Sequence, residues 1–230
     1  MIEISEFKNF TGVYQVNDTG KRFLATINLT PGKKVYDEML IKFRDEELRT
    51  WDPFRSKLAA ALLNGLEELP VREGSHILYL GAASGTTCSH ISDIIGNTGR
   101  LYCIEFSPRS IRDLTTICED RKNMLPILAD ARFPDRYSTL CGLVDLIYCD
   151  VAQPNQSKIL VDNASLYLKP AGNIMIMIKA RSIDVTKPPA EIFKDEIKFL
   201  EKNGFIIKQK LRLEPYTADH IFILGSLKKQ

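Results

Sequence analysis

From Asp52 onward, the chain alternates short apolar runs with longer segments in which apolar residues recur at helical spacing. The apolar runs predict strands at 76–80, 100–105, 124–128, 144–149 and 173–178. The segments between them predict helices near 87–95, 108–119, 155–168 and 189–202. This alternation is typical of an α/β fold, in which helices cover both faces of a mostly parallel sheet. The last two apolar runs, 205–213 and 220–227, predict an antiparallel hairpin at the edge of that sheet.

A further helix is expected to begin at Asp52-Pro53, because an apolar stripe follows it at Leu58, Leu62, Leu66 and Leu69. Before Asp52 the pattern is different, with short β-rich runs at 12–16, 22–29 and 38–43 separated by turn residues. We therefore predict a small antiparallel β domain at 1–51 and a larger α/β domain at 52–230. The small domain could be an extension packed on the large one or a separate binding module.

Composition limits the possible classes of protein. A hydrophobic content of 44% and a charged content of 26% are ordinary for a globular protein with a real core. No apolar run approaches the ~20 residues that span a bilayer, and the first residues do not resemble a signal peptide. The five cysteines form no C-x-x-C pair, which favours reduced thiols over a metal site and predicts a cytoplasmic location. A net charge of only +2 argues against a protein that grips RNA unaided.

The strongest motif is the stretch Tyr79-Leu-Gly-Ala-Ala-Ser-Gly-Thr-Thr87, which lies between a predicted strand and a predicted helix. Such a turn presents backbone amides and a helix N-terminus to a ligand, and Glu105 at the end of the next strand is placed to bind ribose hydroxyls. The glycines follow G-x-x-x-G rather than the dinucleotide pattern G-x-G-x-x-G. This favours a nucleoside with an amino-acid tail, S-adenosylmethionine, over a diphosphate. A tight turn without any ligand is the alternative.

Charged residues follow the other predicted strands. Asp130, Asp150 and Lys179 each come at or just after the end of an apolar run, as Glu105 does. Ligands of open α/β sheets bind outside the carboxyl ends of the strands, so these side chains are candidates for one site. Each of them taken singly could be no more than a solvated strand end.

Several segments, in the same order, resemble the fibrillarin family. They are Arg55-Ser-Lys-Leu-Ala-Ala-Ala61, Leu80-Gly-Ala-Ala-Ser-Gly-Thr-Thr87, Glu105-Phe-Ser107, Asp150-Val-Ala-Gln153, Lys179-Ala-Arg-Ser-Ile-Asp184, and Leu213-Glu-Pro-Tyr216 with Asp219-His220. The resemblance implies a Rossmann-like methyltransferase fold and S-adenosylmethionine-dependent methylation of ribose 2′-hydroxyls in rRNA, with tRNA as a further substrate. It also implies box C/D guide RNA, a Nop-domain scaffold protein and a kink-turn-binding ribosomal-type protein as partners. The start of the chain lacks a Gly/Arg-rich tail, which resembles the archaeal form.

The resemblance also implies the roles of individual residues. The cofactor would be bound by residues of the turn and of the strand ends: Gly81, Ala82, Gly85, Thr86, Thr87, Glu105, Phe106, Asp130, Ala131, Asp150, Val151, Ala152 and Gln153. Glu105 would bind the ribose hydroxyls, Phe106 would pack on the adenine, and Asp130 with Ala131 would read the adenine edge. For Phe106, plain core packing is the alternative.

Related ribose methyltransferases use a Lys-Asp-Lys-Glu set, and Lys57, Asp150 and Lys179 match its first three positions. His220, beside Asp219, would take the fourth position in place of the glutamate, although a histidine that opens an apolar strand could be no more than a hydrogen-bonded edge residue. Lys179 is expected to lie closest to the attacking hydroxyl. Arg55 and Arg181 are candidates for RNA contacts.

Two other functions stay open from the sequence. The acceptor could be a protein side chain such as glutamine, or a small molecule, as the modest charge would allow. The chain could also be a non-catalytic subunit of a ribonucleoprotein, which would give the N-terminal sheet a role.

Overall fold

The computed structural model describes residues 2–8 and 10–228, and its centre is a seven-stranded sheet. The strands are β6 (His76–Leu80), β7 (Arg100–Glu105), β8 (Met124–Leu128), β9 (Val144–Cys149), β10 (Leu168–Lys179), β11 (Phe205–Arg212) and β12 (His220–Leu227). Their spatial order is β11-β12-β10-β9-β6-β7-β8. β8, β7, β6, β9 and β10 run parallel, whereas β12 is antiparallel to both β10 and β11. The predicted α/β fold with a terminal hairpin is confirmed.

Helices cover both faces of this sheet. They are α1 (Lys57–Leu63), α2 (Thr86–Ile95), α3 (Pro108–Asp120), α4 (Gln156–Tyr167), α5 (Ala180–Ile183) and α6 (Pro189–Lys202), with a 3-10 turn at Pro134–Tyr137. Successive residues of each strand enter opposite cores: Tyr79 packs with α1 and α2, while Leu78 and Leu80 pack on the α4 side. A strand buried on both faces has to be apolar throughout, which is why the parallel strands stood out in the sequence.

The helix predicted to begin at Asp52 is shorter than expected. It begins at Lys57, because Ser56 is extended and its hydroxyl caps the amide of Ala59 at 3.4 Å. It ends at Leu63, and the predicted continuation of the stripe through Leu66 and Leu69 is wrong as helix. Both leucines are nevertheless buried in the same core, so the apolar pattern correctly indicated burial but not helical structure.

The N-terminal residues form a five-stranded antiparallel sheet. Its strands are β1 (Glu3–Glu6), β2 (Tyr14–Asp18), β3 (Lys21–Ile27), β4 (Leu40–Phe43) and β5 (Glu46–Trp51), in the spatial order β1-β2-β3-β5-β4. The sequence did not predict β1 or β5, both of which are rich in charged residues, and the run predicted at 38–43 becomes a strand only from Leu40. The sheet ends at Trp51; the division of the chain into domains at 51/52 stays a prediction.

The small sheet contributes buried apolar residues to the core of the large one. Its own cluster of buried residues is Val16, Ala25 and Leu48, whereas Leu24 and Trp51 join the α1–α2 core. The small sheet is therefore packed firmly on the α/β unit, which fits the packed-extension alternative better than a free module.

A buried ionic network lies at this junction. Arg121 Nη1 donates to Asp93 Oδ1 at 2.5 Å, and Arg49 Nε lies 3.6 Å from Asp93 Oδ2 and 3.4 Å from Glu38 Oε1. None of these side chains is more than 1% exposed. Asp93 also accepts a hydrogen bond from Thr26 of β3 at 2.7 Å. Two cations balance two anions here, which is the condition under which charges are tolerated in a protein interior.

His90 of α2 lies in the same network, with its ring stacked on Trp51 at a centroid distance of 4.7 Å. Burial, with Arg49 and Arg121 nearby, holds the pKa of His90 well below its usual value, so the imidazole is neutral. His90 is therefore a structural residue of this junction.

Within the described residues, no helix is long and apolar enough to cross a bilayer.

Candidate active site

The order of the sheet reverses between β6 and β9, and this is where an open α/β sheet forms a crevice. Gly81 follows β6 with φ of +83° and Asp150 follows β9. A Cβ atom on residue 81 would lie only 2.6 Å from the carbonyl oxygen of Asp150. Glycine is therefore required both by the backbone conformation and by the close approach of the two strand ends.

A cavity of about 310 Å³ opens beside this contact. Nine of the predicted cofactor residues line it: Gly81, Glu105, Phe106, Asp130, Ala131, Asp150, Val151, Ala152 and Gln153. Its lining combines apolar surface with carboxylates at three strand ends, which suits a nucleoside with a charged tail. Phe106 is 66% exposed, so the core-packing alternative for this ring is wrong.

Glu105 is held rigidly at the cavity wall. Its two carboxylate oxygens each accept a backbone hydrogen bond of 2.8 Å, from the amides of Ala83 and Ser107. Ser107 in turn caps α3. Each carboxylate oxygen keeps a further lone pair, so the fixed carboxylate can accept hydrogen bonds from two hydroxyls of a ribose.

Asp130, two residues after the end of β8, is paired with Arg132. The guanidinium Nη2 lies 2.6 Å from Asp130 Oδ2, and hydrogen bonding to Arg132 lowers the pKa of this carboxyl. The carboxylate is thus an anionic acceptor at neutral pH, as recognition of an exocyclic amine requires. Arg132 lines the cavity as well, a contribution that the sequence analysis missed although the residue directly follows Ala131.

The remaining predicted cofactor residues, Ala82, Gly85, Thr86 and Thr87, do not line the cavity. Gly85 has φ of +93° and precedes α2, where an added Cβ would meet Leu114 at 2.9 Å. The hydroxyl of Thr87 is buried and donates to Ser56 Oγ at 3.0 Å. These residues shape the turn and tie it to the start of α1, while Ala83, which the sequence analysis did not single out, lines the cavity.

Lys57, the first residue of α1, reaches across to the end of β9. Its ammonium lies 2.7 Å and 2.9 Å from the two carboxylate oxygens of Asp150, although 93 residues separate them in sequence. Both side chains are partly exposed, at 28% and 20%, so the pair faces the crevice rather than the core. The Ser56 cap and its bond to Thr87 set the start of α1 and thereby the position of Lys57.

Lys179 and His220 are direct partners on the neighbouring antiparallel strands β10 and β12. The Lys179 side chain is exposed, and among residues 2–8 and 10–228 its ammonium makes no ion pair or hydrogen bond. His220 is buried, and its Nδ1 donates to the carbonyl of Ala218 at 2.6 Å. A carbonyl can only accept, so Nε2 carries the lone pair of the neutral ring.

The protonation of His220 depends on all the other predicted catalytic residues. Burial lowers the pKa of His220, the bond to Ala218 raises it, Lys57 and Lys179 lower it and Asp150 raises it. The structure thus brings Lys57, Asp150, Lys179 and His220 together at one end of the sheet. Two cations, one carboxylate and one neutral imidazole at such a rim can orient a hydroxyl, accept its proton and stabilise an oxyanion.

The two candidate RNA contacts are both paired within the chain. Arg55 lies 3.1 Å from Asp37 and its guanidinium lies over the Tyr36 ring at 5.6 Å. Arg181 Nε lies 3.0 Å from Asp219 Oδ2. About half of each arginine side chain is exposed, so an external phosphate could reach either one.

Fold and site together define the class of protein: a Rossmann-like methyltransferase domain with a small antiparallel sheet packed against it. Residues 4–229 match the model of the Fibrillarin family, and the chain belongs to that family. It is 52% identical to the fibrillarin-like rRNA/tRNA 2′-O-methyltransferase of Pyrobaculum islandicum, over 99% of this chain and 98% of the relative.

Two solved structures extend the comparison. The crystal structure of Aeropyrum pernix fibrillarin with natively bound S-adenosyl-L-methionine has a TM-score of 0.92 and 51% identity, covering 98% of this chain and 99% of that one. The crystal structure of a fibrillarin/Nop5p complex has a TM-score of 0.86 and 41% identity, covering 95% and 98%.

Proposed function

We propose that this protein transfers a methyl group from S-adenosyl-L-methionine to ribose 2′-hydroxyls of ribosomal RNA, and of tRNA as a further substrate, within a box C/D guide-RNA particle. The observation that carries the proposal is the meeting of the Lys57–Asp150 pair, Lys179 and His220 at the crevice beside a nucleoside-sized cavity. Near full-length similarity to fibrillarin-like rRNA/tRNA 2′-O-methyltransferases supports the substrate class.

The cavity suits the cofactor at each of its ends. The fixed carboxylate of Glu105 takes the ribose hydroxyls, Phe106 covers the adenine, and Asp130 accepts from its exocyclic amine. The Val151–Gln153 segment and Asp150 lie toward the methionine end. When bound, S-adenosyl-L-methionine supplies an electrophilic methyl group with a neutral thioether as the leaving group.

The rim residues act on the attacking hydroxyl. Asp150 neutralises Lys57, whereas Lys179 has no ion-pair partner among the residues that the structure describes. Its positive charge steadies the oxygen as the proton leaves. His220 is neutral, with a free Nε2 lone pair able to accept a proton. Holding the hydroxyl in line with the methyl group supplies much of the remaining rate enhancement.

Partners carry most of the RNA affinity in this proposal. A net charge of +2 gives little non-specific attraction to phosphates. A Nop-domain protein would dock the enzyme, as in the fibrillarin/Nop5p complex of a relative. A kink-turn-binding protein would recruit this pair to the guide RNA, whose base pairing selects the nucleotide. The cytoplasmic location stays a prediction from the cysteine pattern.

The decisive experiment is a reconstituted assay with the scaffold protein, the kink-turn protein, a guide RNA and radiolabelled cofactor. We expect label on the ribose at the guide-specified position. A changed guide should remove the label from that position, and the Lys179→Ala variant should give no label at all. Label found only in protein or in small molecules would overturn the proposal in favour of another acceptor. Complete inactivity of the loaded particle would favour a non-catalytic subunit.

A further inference from the structure

Gln156 makes an unusual pair of contacts with the backbone of Lys179. Its Oε1 accepts from the Lys179 amide at 2.9 Å, and its Nε2 donates to the Lys179 carbonyl at 3.1 Å. The residue is wholly buried at the first position of α4. Both polar atoms of the carboxamide are thus committed to a single residue, the lysine assigned above to the attacking hydroxyl.

The topology explains why this contact is needed. On one side, β10 pairs with β12 as far as Lys179, opposite His220. On the other side, the partner strand β9 stops at Cys149, which pairs with Ile176. The last three residues of β10 therefore extend beyond β9, and their peptide groups on that side lack a neighbouring strand. A glutamine carboxamide carries one acceptor and donors in the same geometry as a peptide group, so Gln156 replaces the missing strand at Lys179.

The position of Gln156 in the chain adds a second link. It lies three residues after Gln153, at the end of the loop that lines the cofactor cavity. The same loop begins at Asp150, which holds Lys57. The wall of the cavity and the backbone of the catalytic lysine are therefore joined by one buried side chain.

We propose that Gln156 is the positioning residue of the active site, which fixes the end of β10 so that the Lys179 ammonium meets the attacking hydroxyl. The role rests on the proposed methyl transfer and involves no contact with RNA or cofactor. A misplacement of about 1 Å at a catalytic group can cost about 100-fold in rate, so the loss of this clamp should appear in kcat rather than in KM.

Gln209 offers a matched control. Its carboxamide also binds two backbone groups, accepting from the Glu67 amide at 3.0 Å and donating to the Gly65 carbonyl at 3.0 Å. It lies on β11, away from the cavity. Gln156→Leu and Gln209→Leu each remove two hydrogen bonds from a carboxamide to the backbone. Only Gln156→Leu removes them from Lys179.

The test measures methylation by the reconstituted particle as a function of pH for the wild type, Gln156→Leu, Gln156→Glu and Gln209→Leu. We expect Gln156→Leu to lower kcat by about 10- to 100-fold with KM for RNA and cofactor affinity unchanged. Gln209→Leu should match the wild type. A protonated glutamic acid can both donate and accept, whereas a carboxylate only accepts, so Gln156→Glu should recover relative to the wild type as the pH falls. Rescue of this kind is not expected of a residue that merely fills space.

Hydrogen exchange of the Lys179 amide supplies a readout independent of activity. Gln156→Leu should speed its exchange, while Gln209→Leu should not. Unaltered kcat in Gln156→Leu alongside an active wild type would overturn the positioning role. An equal loss in both glutamine variants, or no pH-dependent recovery in Gln156→Glu, would also overturn it. An inactive wild-type particle would instead count against the proposed methyl transfer, and unchanged Lys179 exchange would count against the clamp itself.

Discussion

The Lys57 ammonium donates hydrogen bonds to both carboxylate oxygens of Asp150, at 2.7 Å and 2.9 Å. One residue begins a helix and the other ends a strand, so their meeting fixes the geometry of the crevice. We expect Lys57→Met and Asp150→Asn each to lower the single-turnover rate by about 100-fold or more. Because the two groups act as a unit, the double variant should be little worse than the poorer single one. Fully additive losses would mean that they act independently.

Lys179→Ala should abolish methylation while leaving cofactor binding intact, since Lys179 does not line the cavity. Loss of one electrostatic stabiliser costs about 100- to 1000-fold in kcat. Isothermal calorimetry with the cofactor and a methyl-transfer assay measure the two effects separately. Lys158→Ala, which removes only an exposed pair with Asp162, is the control and should be fully active. Unchanged turnover in Lys179→Ala would discard the assignment.

Gly81→Ala should weaken cofactor binding by more than tenfold. The new Cβ would lie 2.6 Å from the Asp150 carbonyl oxygen, so the strand ends bordering the cavity must separate. Gly32→Ala is a matched control, because Gly32 has φ of +81° but nothing within 4 Å of an added Cβ. Both variants bear the cost of an alanine at positive φ. Only Gly81→Ala also forces the strand ends apart, so only this variant should change the dissociation constant of the cofactor. Equal cofactor affinities in the two variants would argue against a cofactor in this cavity.

The pH dependence of kcat/KM should carry the signature of His220. Burial lowers the pKa of this imidazole, so it stays neutral down to a pH below its usual value of 6.5. Activity should therefore hold through neutral pH and fall below about 6.5 as the ring protonates. His220→Gln should lose activity and also lose this acid limb. Persistence of the same limb in the variant would assign it to another group.

Asp93→Ala should destabilise the protein severely. The carboxylate is wholly buried between Arg121 and Arg49, so its removal leaves two buried cations with only the carboxylate of Glu38 to balance them. Breaking a buried pair in this way costs about 3–5 kcal/mol in the free energy of unfolding. Lys33→Ala is the comparison, because the Lys33–Asp120 pair also joins the N-terminal segment to a helix of the α/β unit but is about half exposed. Its loss should cost about 0–1 kcal/mol in urea unfolding. Similar losses in the two variants would contradict the importance of burial.

Much of the large sheet was predictable because its parallel strands are buried on both faces. The runs at 76–80, 100–105, 124–128 and 144–149 match the strands residue for residue. The strand-end rule also located Asp150 and Lys179. The edge strand β1 was missed because it is largely exposed and shows no apolar alternation. The inner strand β5 was missed for a different reason: it is buried from Leu48 to Trp51, but it carries charged residues, among them the buried Arg49.

Other features depend on contacts across long sequence separations. Arg49 and Arg121 read as surface residues, and nothing local indicates that Asp93 lies between them. The sequence did not indicate a role for Gln156 either. Its role depends on the end of β9, which stops before the end of β10 and leaves the Lys179 backbone without a strand partner on that side. The early start predicted for α1 failed because the chain forms only a turn after Asp52-Pro53, closed by the Arg55 amide on the Asp52 carbonyl at 3.2 Å, and then becomes extended at Ser56.

The buried ion pair between Arg49 of the small sheet and Asp93 of α2 determines which fragments of this enzyme can fold. A piece trimmed to residues 52–230 would expose Arg121, Asp93 and His90 on a surface otherwise sealed from water. We expect such a fragment to fold poorly, however complete its chemical groups are. The amino-terminal fifty residues thus stabilise the folded α/β unit, and a minimal enzyme would have to retain them.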